Sequence, residues 1–303
     1  MQRISYLLLT YCGCLAAAAV PAFAESTPEA IRSQVPGGDK GDKKPERQAE
    51  VLPELAEADL KLQPEEKLVY DVRIDGMPAG KAWLEVKKRD DLNASGGPAV
   101  WITTLSIKSS RMISWTYEVD DKTTSKIDVK GGFSRFCHIE RKDGEIEGQE
   151  ISTFDYTFGN FKASYQRTRP SDNAMKTYAP IPLTGKVLDP LAAIYYLRSI
   201  DWKTQAKKAI DLPIFTDRKV WATHIVLGEK DTRDFGSLKK RPYVKLKADV
   251  GFKGLFERKG PMFVYLDMET GIPLRMEVEL PIGSAEVELE KHSNSPLDST
   301  EKK

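Results

Sequence analysis

The chain has 303 residues, with 46 basic and 45 acidic side chains and a net charge of +1. So even a balance excludes the basic surface that a nucleic-acid partner requires to meet phosphates. Of the three cysteines only Cys137 lies outside the first two dozen residues, which excludes an intramolecular disulfide framework. A chain this long does not depend on one, because it can bury roughly 70% of the surface its unfolded form exposes.

The first 24 residues have the three parts of a secretory leader: a positive charge at Arg3, an apolar run from Ile4 to Val20, and the small-x-small sequence Ala22-Phe23-Ala24 before Glu25. The expectation is export to the periplasm with cleavage after Ala24. Lipid attachment at Cys14 is disfavoured, because Tyr11 stands where a lipoprotein signal carries Leu and an apolar tail would remain from Leu15 to Ala24. Residues 25–62 are rich in Glu, Lys, Pro and Gly and contain no aromatic residue, so they read as a disordered charged linker that buries too little apolar surface to offset chain entropy. Within it Leu55, Leu60 and Leu62 offer a short amphipathic turn.

A single β-rich domain is expected over 63–292. Leu68, Tyr70, Val72 and Ile74 alternate with polar neighbours, the period of a half-buried strand. Turn chemistry follows at Asp75-Gly76-Met77-Pro78-Ala79-Gly80, and Ala82, Leu84 and Val86 continue on the next strand. Similar runs fall at about 99–107, 112–119, 123–129, 133–141, 146–158 and 161–168, then at about 207–215, 218–227, 242–250, 262–267, 272–280 and 284–291. Gly131-Gly132, Asp143-Gly144, Asp217-Arg218 and Thr270-Gly271 punctuate them. Strands at this spacing without intervening helices predict an all-β antiparallel meander or open barrel. In the last strand Ala285, Val287 and Leu289 oppose Glu286, Glu288 and Glu290; a water-filled surround puts the apolar row inside, an outer-membrane barrel inverts it. Residues 293–303 read as a frayed polar tail.

One stretch departs from the series. Asp189 is placed to cap a helix at about 189–199, Pro190 suits its first position, and Leu191, Ile194, Tyr195 and Arg198 share a face. The helix is expected to cover or plug the barrel, with Tyr195, Tyr196 and Arg198 as candidates for lining a ligand cavity beneath it.

Several blocks together resemble the DUF3108 family, exported bacterial β-rich proteins of unknown function. They are Glu66-Lys67-Leu68-Val69-Tyr70-Asp71-Val72 with Gly76-Met77-Pro78-Ala79-Gly80, then Val119-Asp120-Asp121 with Ile127-Asp128, and then Val187-Leu188-Asp189-Pro190-Leu191 with Tyr195-Tyr196-Leu197-Arg198. Leu266-Asp267, Pro273-Leu274-Arg275 and Pro281-Ile282-Gly283-Ser284 close the series. The resemblance spans about residues 64–290. It implies an exported β-rich fold and no known activity.

No catalytic set is legible. His138, His224 and His292 are far apart and no Cys/His pair has ligand spacing, so neither a metal nor another cofactor is expected. Asp120-Asp121 are neighbours in a strand, which points them to opposite faces, and Ser237-Leu238-Lys239-Lys240 reads as a charged loop. Phe252, Leu255 and Phe256, set among glycines and charged residues, suit a membrane-contacting loop or a ligand mouth. The leading expectation is therefore a non-enzymatic periplasmic binding or carrier protein for a lipid, lipid-linked sugar or envelope polymer. The alternatives are a structural protein docking an envelope partner and a glycan-acting enzyme.

Overall fold

The computed structural model describes residues 51–52, 55, 60–90, 97–114, 118–143, 146–169, 173–205, 208–249, 261–280 and 283–300. The first half of the sheet comprises β1 (Lys67–Ile74), β2 (Met77–Asp90), β3 (Val100–Ser109), β4 (Asp120–Asp128), β5 (Ser134–Asp143), β6 (Ile146–Asp155), β7 (Lys162–Thr168), β8 (Met175–Thr177) and β9 (Ile181–Pro182). The second half comprises β10 (Ala209–Thr216), β11 (Lys219–Phe235), β12 (Leu238–Asp249), β13 (Met262–Asp267), β14 (Pro273–Leu280) and β15 (Gly283–Ser293). Three helical segments are described: α1 (Arg111–Ser114), α2 (Pro190–Ser199) and α3 (Leu297–Thr300).

All strands join one antiparallel sheet in the order β10-β11-β12-β13-β14-β15-β1-β2-β3-β4-β5-β6-β7-β8, with β9 also paired to β7. The two sequence halves therefore meet where β15 pairs with β1, and the sheet is not closed by a strand pair at its ends. The curl is held instead by two residues. The Ser134 amide at the start of β5 donates to the Val187 carbonyl (2.9 Å), the Leu188 amide donates to the Pro213 carbonyl (2.9 Å), and the Phe215 amide donates to the Leu188 carbonyl (2.8 Å). Val187-Leu188 thus spans the gap between β5 and the free edge of β10, satisfying backbone groups that an open edge would leave unpaired.

The alternating pattern sets which face is inside. Leu68, Tyr70, Val72 and Ile74 of β1 and Ala285, Val287 and Leu289 of β15 are buried, whereas Glu286, Glu288 and Glu290 look outward. The apolar row is inside, and the outer-membrane assignment does not apply. Arg275 of β14 bridges Glu277, Glu286 and Glu288 across that outer face. The first hairpin turn is tighter than its sequence implied: Asp75 and Gly76 alone form the loop, both at positive φ, and Met77 to Gly80 already belong to β2.

Four expectations are corrected. The strand expected at 112–119 does not start there: Arg111–Ser114 form α1, where the Ser114 amide and hydroxyl both donate to the Ser110 carbonyl, a local alternative to the ladder that serine supplies. The strands expected at about 218–227 and 242–250 extend through the charged stretch between them, as a long hairpin of β11 and β12 that turns at Gly236-Ser237. Residues 228–234 are all exposed, which removed the apolar period, yet the tip returns Phe235 and Leu238 to the core. Ahead of the domain, Leu52 and Leu60 are buried and Leu55 and Leu62 pack against the same core, so the packed chain begins before residue 63. Behind it, Leu297 is fully buried in α3, and Asp298 bonds His292 and the Ser295 amide, so this part of the tail is folded.

Candidate ligand-binding cleft

The sheet curls around α2, which touches β3 and β4 on one side and β10 on the other. It is apolar nearly all round, as a helix with sheet on several sides must be. Each end of α2 is fixed by a buried carboxylate. At the N-terminus, Asp189 Oδ1 accepts from the Leu191 and Ala192 amides (2.9 and 3.0 Å), the cap its position predicts. Asp189 Oδ2 accepts from the hydroxyls of Ser125 on β4 and Ser134 on β5, both at 2.6 Å. Burial lifts the Asp189 carboxyl above its ordinary value, and these four bonds pull the other way. It is a structural acid with no path to water.

At the C-terminal end, Arg198 makes a two-pronged bond to Glu66, Nη1 to Oε1 at 2.6 Å and Nη2 to Oε2 at 2.8 Å, with both side chains fully buried. Burial alone disfavours the guanidinium charge; Glu66 more than compensates and holds its pKa above the usual value. The Trp202 indole donates to the Leu197 carbonyl (2.9 Å) and the Ser199 hydroxyl to the Tyr195 carbonyl (2.9 Å), which satisfies two carbonyls of the last turn.

A turn of the sheet presses on the same end. Asp267 Oδ1 accepts from the Glu269 and Thr270 amides and the Thr270 hydroxyl, and its Oδ2 accepts from Arg241 Nε at 2.7 Å. This turn brings Gly271, at φ +76°, so close to α2 that a Cβ there would stand 2.2 Å from the Arg198 carbonyl oxygen.

These anchors assign the two faces of α2. Tyr195, Tyr196 and Arg198 are buried in the core, and none of them is among the residues that line the cleft on the other face. Arg198 is committed to Glu66, burial pushes the Tyr196 phenol up to about 12, and the Tyr195 ring lies beside the Arg198 guanidinium. The opposite face, Pro190, Ala193, Ile194 and Leu197, looks across a partly enclosed cleft toward β10–β14, with about 800 Å³ between the walls once the open solvent at its mouth is counted. Its far wall is Ile214, Thr223, Ile225, Leu246, Ala248, Met262, Val264, Leu266, Pro273 and Met276. Small side chains at Ala193 and Ala248 leave the space, while the anchors hold α2 at both ends. Among the described residues no charged side chain lines the cleft. Thr223 is its one hydroxyl, buried and without a hydrogen-bond partner among the described residues. The signal in sequence was faint: Thr223 and Ala248 are a polar and a small residue at inward strand positions.

The other candidates fall apart spatially. His138, His224 and His292 bond Gln149, Asp211 and Asp298 respectively, on separate elements. Asp120 pairs with Lys108 while Asp121 is buried and accepts from the Lys142 amide, so the two carboxylates do not share a site. Ser237 lies in the β11–β12 turn. Burial, reinforced by Asp189 and Glu150, pushes the Cys137 thiol well up, which removes it as a nucleophile. Phe252, Leu255, Phe256, the leader and Cys14 lie outside the described residues.

A family model described as "Protein of unknown function (DUF3108)" matches residues 69–290. Among solved structures the chain is similar to a β-barrel-like protein of the DUF1849 domain from Brucella abortus, with 16% identity, a TM-score of 0.51, and coverage of 76% of this chain and 98% of that one. That likeness concerns the fold. A putative outer membrane lipoprotein-sorting protein domain from Vibrio parahaemolyticus aligns with 9% identity over 78% of this chain and 87% of its own, at a TM-score of 0.24, too slight a likeness to build on. No curated protein matches.

Proposed function

We propose that this chain, which belongs to the DUF3108 family of proteins of unknown function, is a non-enzymatic carrier of the periplasm that holds the acyl chain of an envelope lipid between α2 and β10–β14. The observation that carries this reading is the lining of the cleft: aliphatic and thioether side chains on both walls, one hydroxyl and no charge. Such a surface gains about 25 cal/mol for each Å² of apolar area it removes from water. It suits an acyl chain and is poor for a glycan, whose hydroxyls require convergent polar groups. The β-barrel-like fold and the secretory pattern of residues 1–24 support an envelope carrier. Among the described residues no acid, base and nucleophile converge in the cleft, which supports binding without chemistry.

Native mass spectrometry tests it. Protein purified without detergent and incubated with envelope extract should carry a mass increment of a lipid. Ala248→Phe, which fills the cleft from β12, should remove the increment with little change in the melting temperature. A glycan increment, no increment, or an increment unaffected by Ala248→Phe contradicts the reading, and an empty chain that crosslinks to an envelope protein points to the docking role instead.

A further inference from the structure

The register of the wall gives the cleft a direction. Ile225, Ala248 and Met262 are paired in one row across β11, β12 and β13. Leu246, Val264 and Met276 form the next row, and Leu266 pairs with Pro273 beyond it. Thr223 stands one pleat on the other side of Ile225, opposite Leu212 of β10. The lining therefore starts at Ile214, which pairs with Trp221 one pleat beyond Thr223, passes the one hydroxyl at Thr223 near that end, and runs on through successive purely apolar rows to Leu266 and Pro273, about 20 Å of strand from Thr223 at about 3.3 Å per residue. Thr223 is only 2% exposed, and its Oγ has no partner among the described residues. A buried hydroxyl without a partner is costly to the empty protein, and among the described residues Thr223 is the one such group in the lining, where an occupant with an acceptor would satisfy it.

We infer that the ligand is a single-chain amphiphile whose head carries a hydrogen-bond acceptor, the carbonyl or carboxylate of an acyl group, and that Thr223 Oγ donates to it while the tail runs toward Leu266 and Pro273. This rests on the carrier reading and goes further by fixing the ligand's class and orientation. A pure hydrocarbon leaves the hydroxyl unpaired. A headgroup at the Leu266 end meets no polar side chain of the lining.

The test uses Thr223→Val, which keeps the shape and removes the hydroxyl, with two fluorescent probes: cis-parinaric acid and the matching octadecatetraene lacking the carboxyl group. Thr223→Val should weaken the acid about fivefold to tenfold, the equivalent of one hydrogen bond, and leave the hydrocarbon unchanged. The empty variant should melt at the same temperature as the wild type or higher. Equal affinities of wild type and variant for the acid, or equal weakening of both probes, overturn the anchor. A lower melting temperature of the empty variant overturns it too, since the hydroxyl would then have a partner within the protein. A wild type that binds the hydrocarbon but not the acid refutes the anchor and leaves the carrier standing; one that binds neither refutes both.

Discussion

Glu66→Ala is the sharpest perturbation of the scaffold. Glu66 and Arg198 are 132 positions apart in sequence, both side chains are 0% exposed, and two bonds of 2.6 and 2.8 Å join them. Removing the carboxylate leaves a buried guanidinium with the neutral phenols of Tyr195 and Tyr70 near it and no counter-charge from Glu66, and breaking such a buried pair costs about 3–5 kcal/mol. The pair also ties the end of α2 to the start of β1, so the loss appears in global unfolding. Urea denaturation of the purified chain measures it. Replacing both partners, Glu66→Leu with Arg198→Met, removes the charge problem along with the bond and should recover most of the loss. A single-variant loss under about 1 kcal/mol, or a double variant that loses the sum of the two singles, would refute this account of the pair.

Three further outcomes are expected. Asp189→Ala should cost about 3 kcal/mol in urea denaturation, because it strands the Ser125 and Ser134 hydroxyls as well as the helix cap. The carboxyl of Asp189 sits above its ordinary 3.8 in the fold, so folding favours its protonated form. The stability linked to it is present below the unfolded value and is lost as pH rises through the folded one. Relative to Asp189→Asn, the wild type should therefore gain stability as the pH falls from about 7 toward about 4. Tyr195→Phe should be neutral or raise the melting temperature, since its hydroxyl has no partner among the described residues, whereas Tyr195→Ala should cost about 3–5 kcal/mol. Gly271→Ala should cost about 3 kcal/mol or more in the same denaturation, through a positive φ and the clash with the Arg198 carbonyl.

The strands and the helix were legible because each is a local pattern. Period two named β1 and β15, and Asp189-Pro190 named the start of α2, since a cap is a matter of two adjacent residues. What stayed hidden depends on partners distant in the chain. Arg198 looks like a ligand group until Glu66 is seen to meet it, and Asp189 looks like an ordinary cap until Ser125 and Ser134 converge on it. The long β11–β12 hairpin was obscured because its exposed middle has no apolar period. Leu55, Leu60 and Leu62 were legible as an amphipathic turn, whereas Leu52 looked like linker, because an isolated leucine in a charged stretch does not announce the core it docks against. The cleft is a gap between elements, and a gap is written in side chains that are too small, Ala193 and Ala248, rather than in any motif.

The most direct measurement is a crystal structure of the protein incubated with a fatty acid brominated at the end of its tail, read by the anomalous scattering of bromine. The account predicts a bromine peak between α2 and the β13–β14 wall, near Leu266 and Pro273. Bromine bound elsewhere on the protein, or a cleft without bromine at saturating ligand, would contradict it.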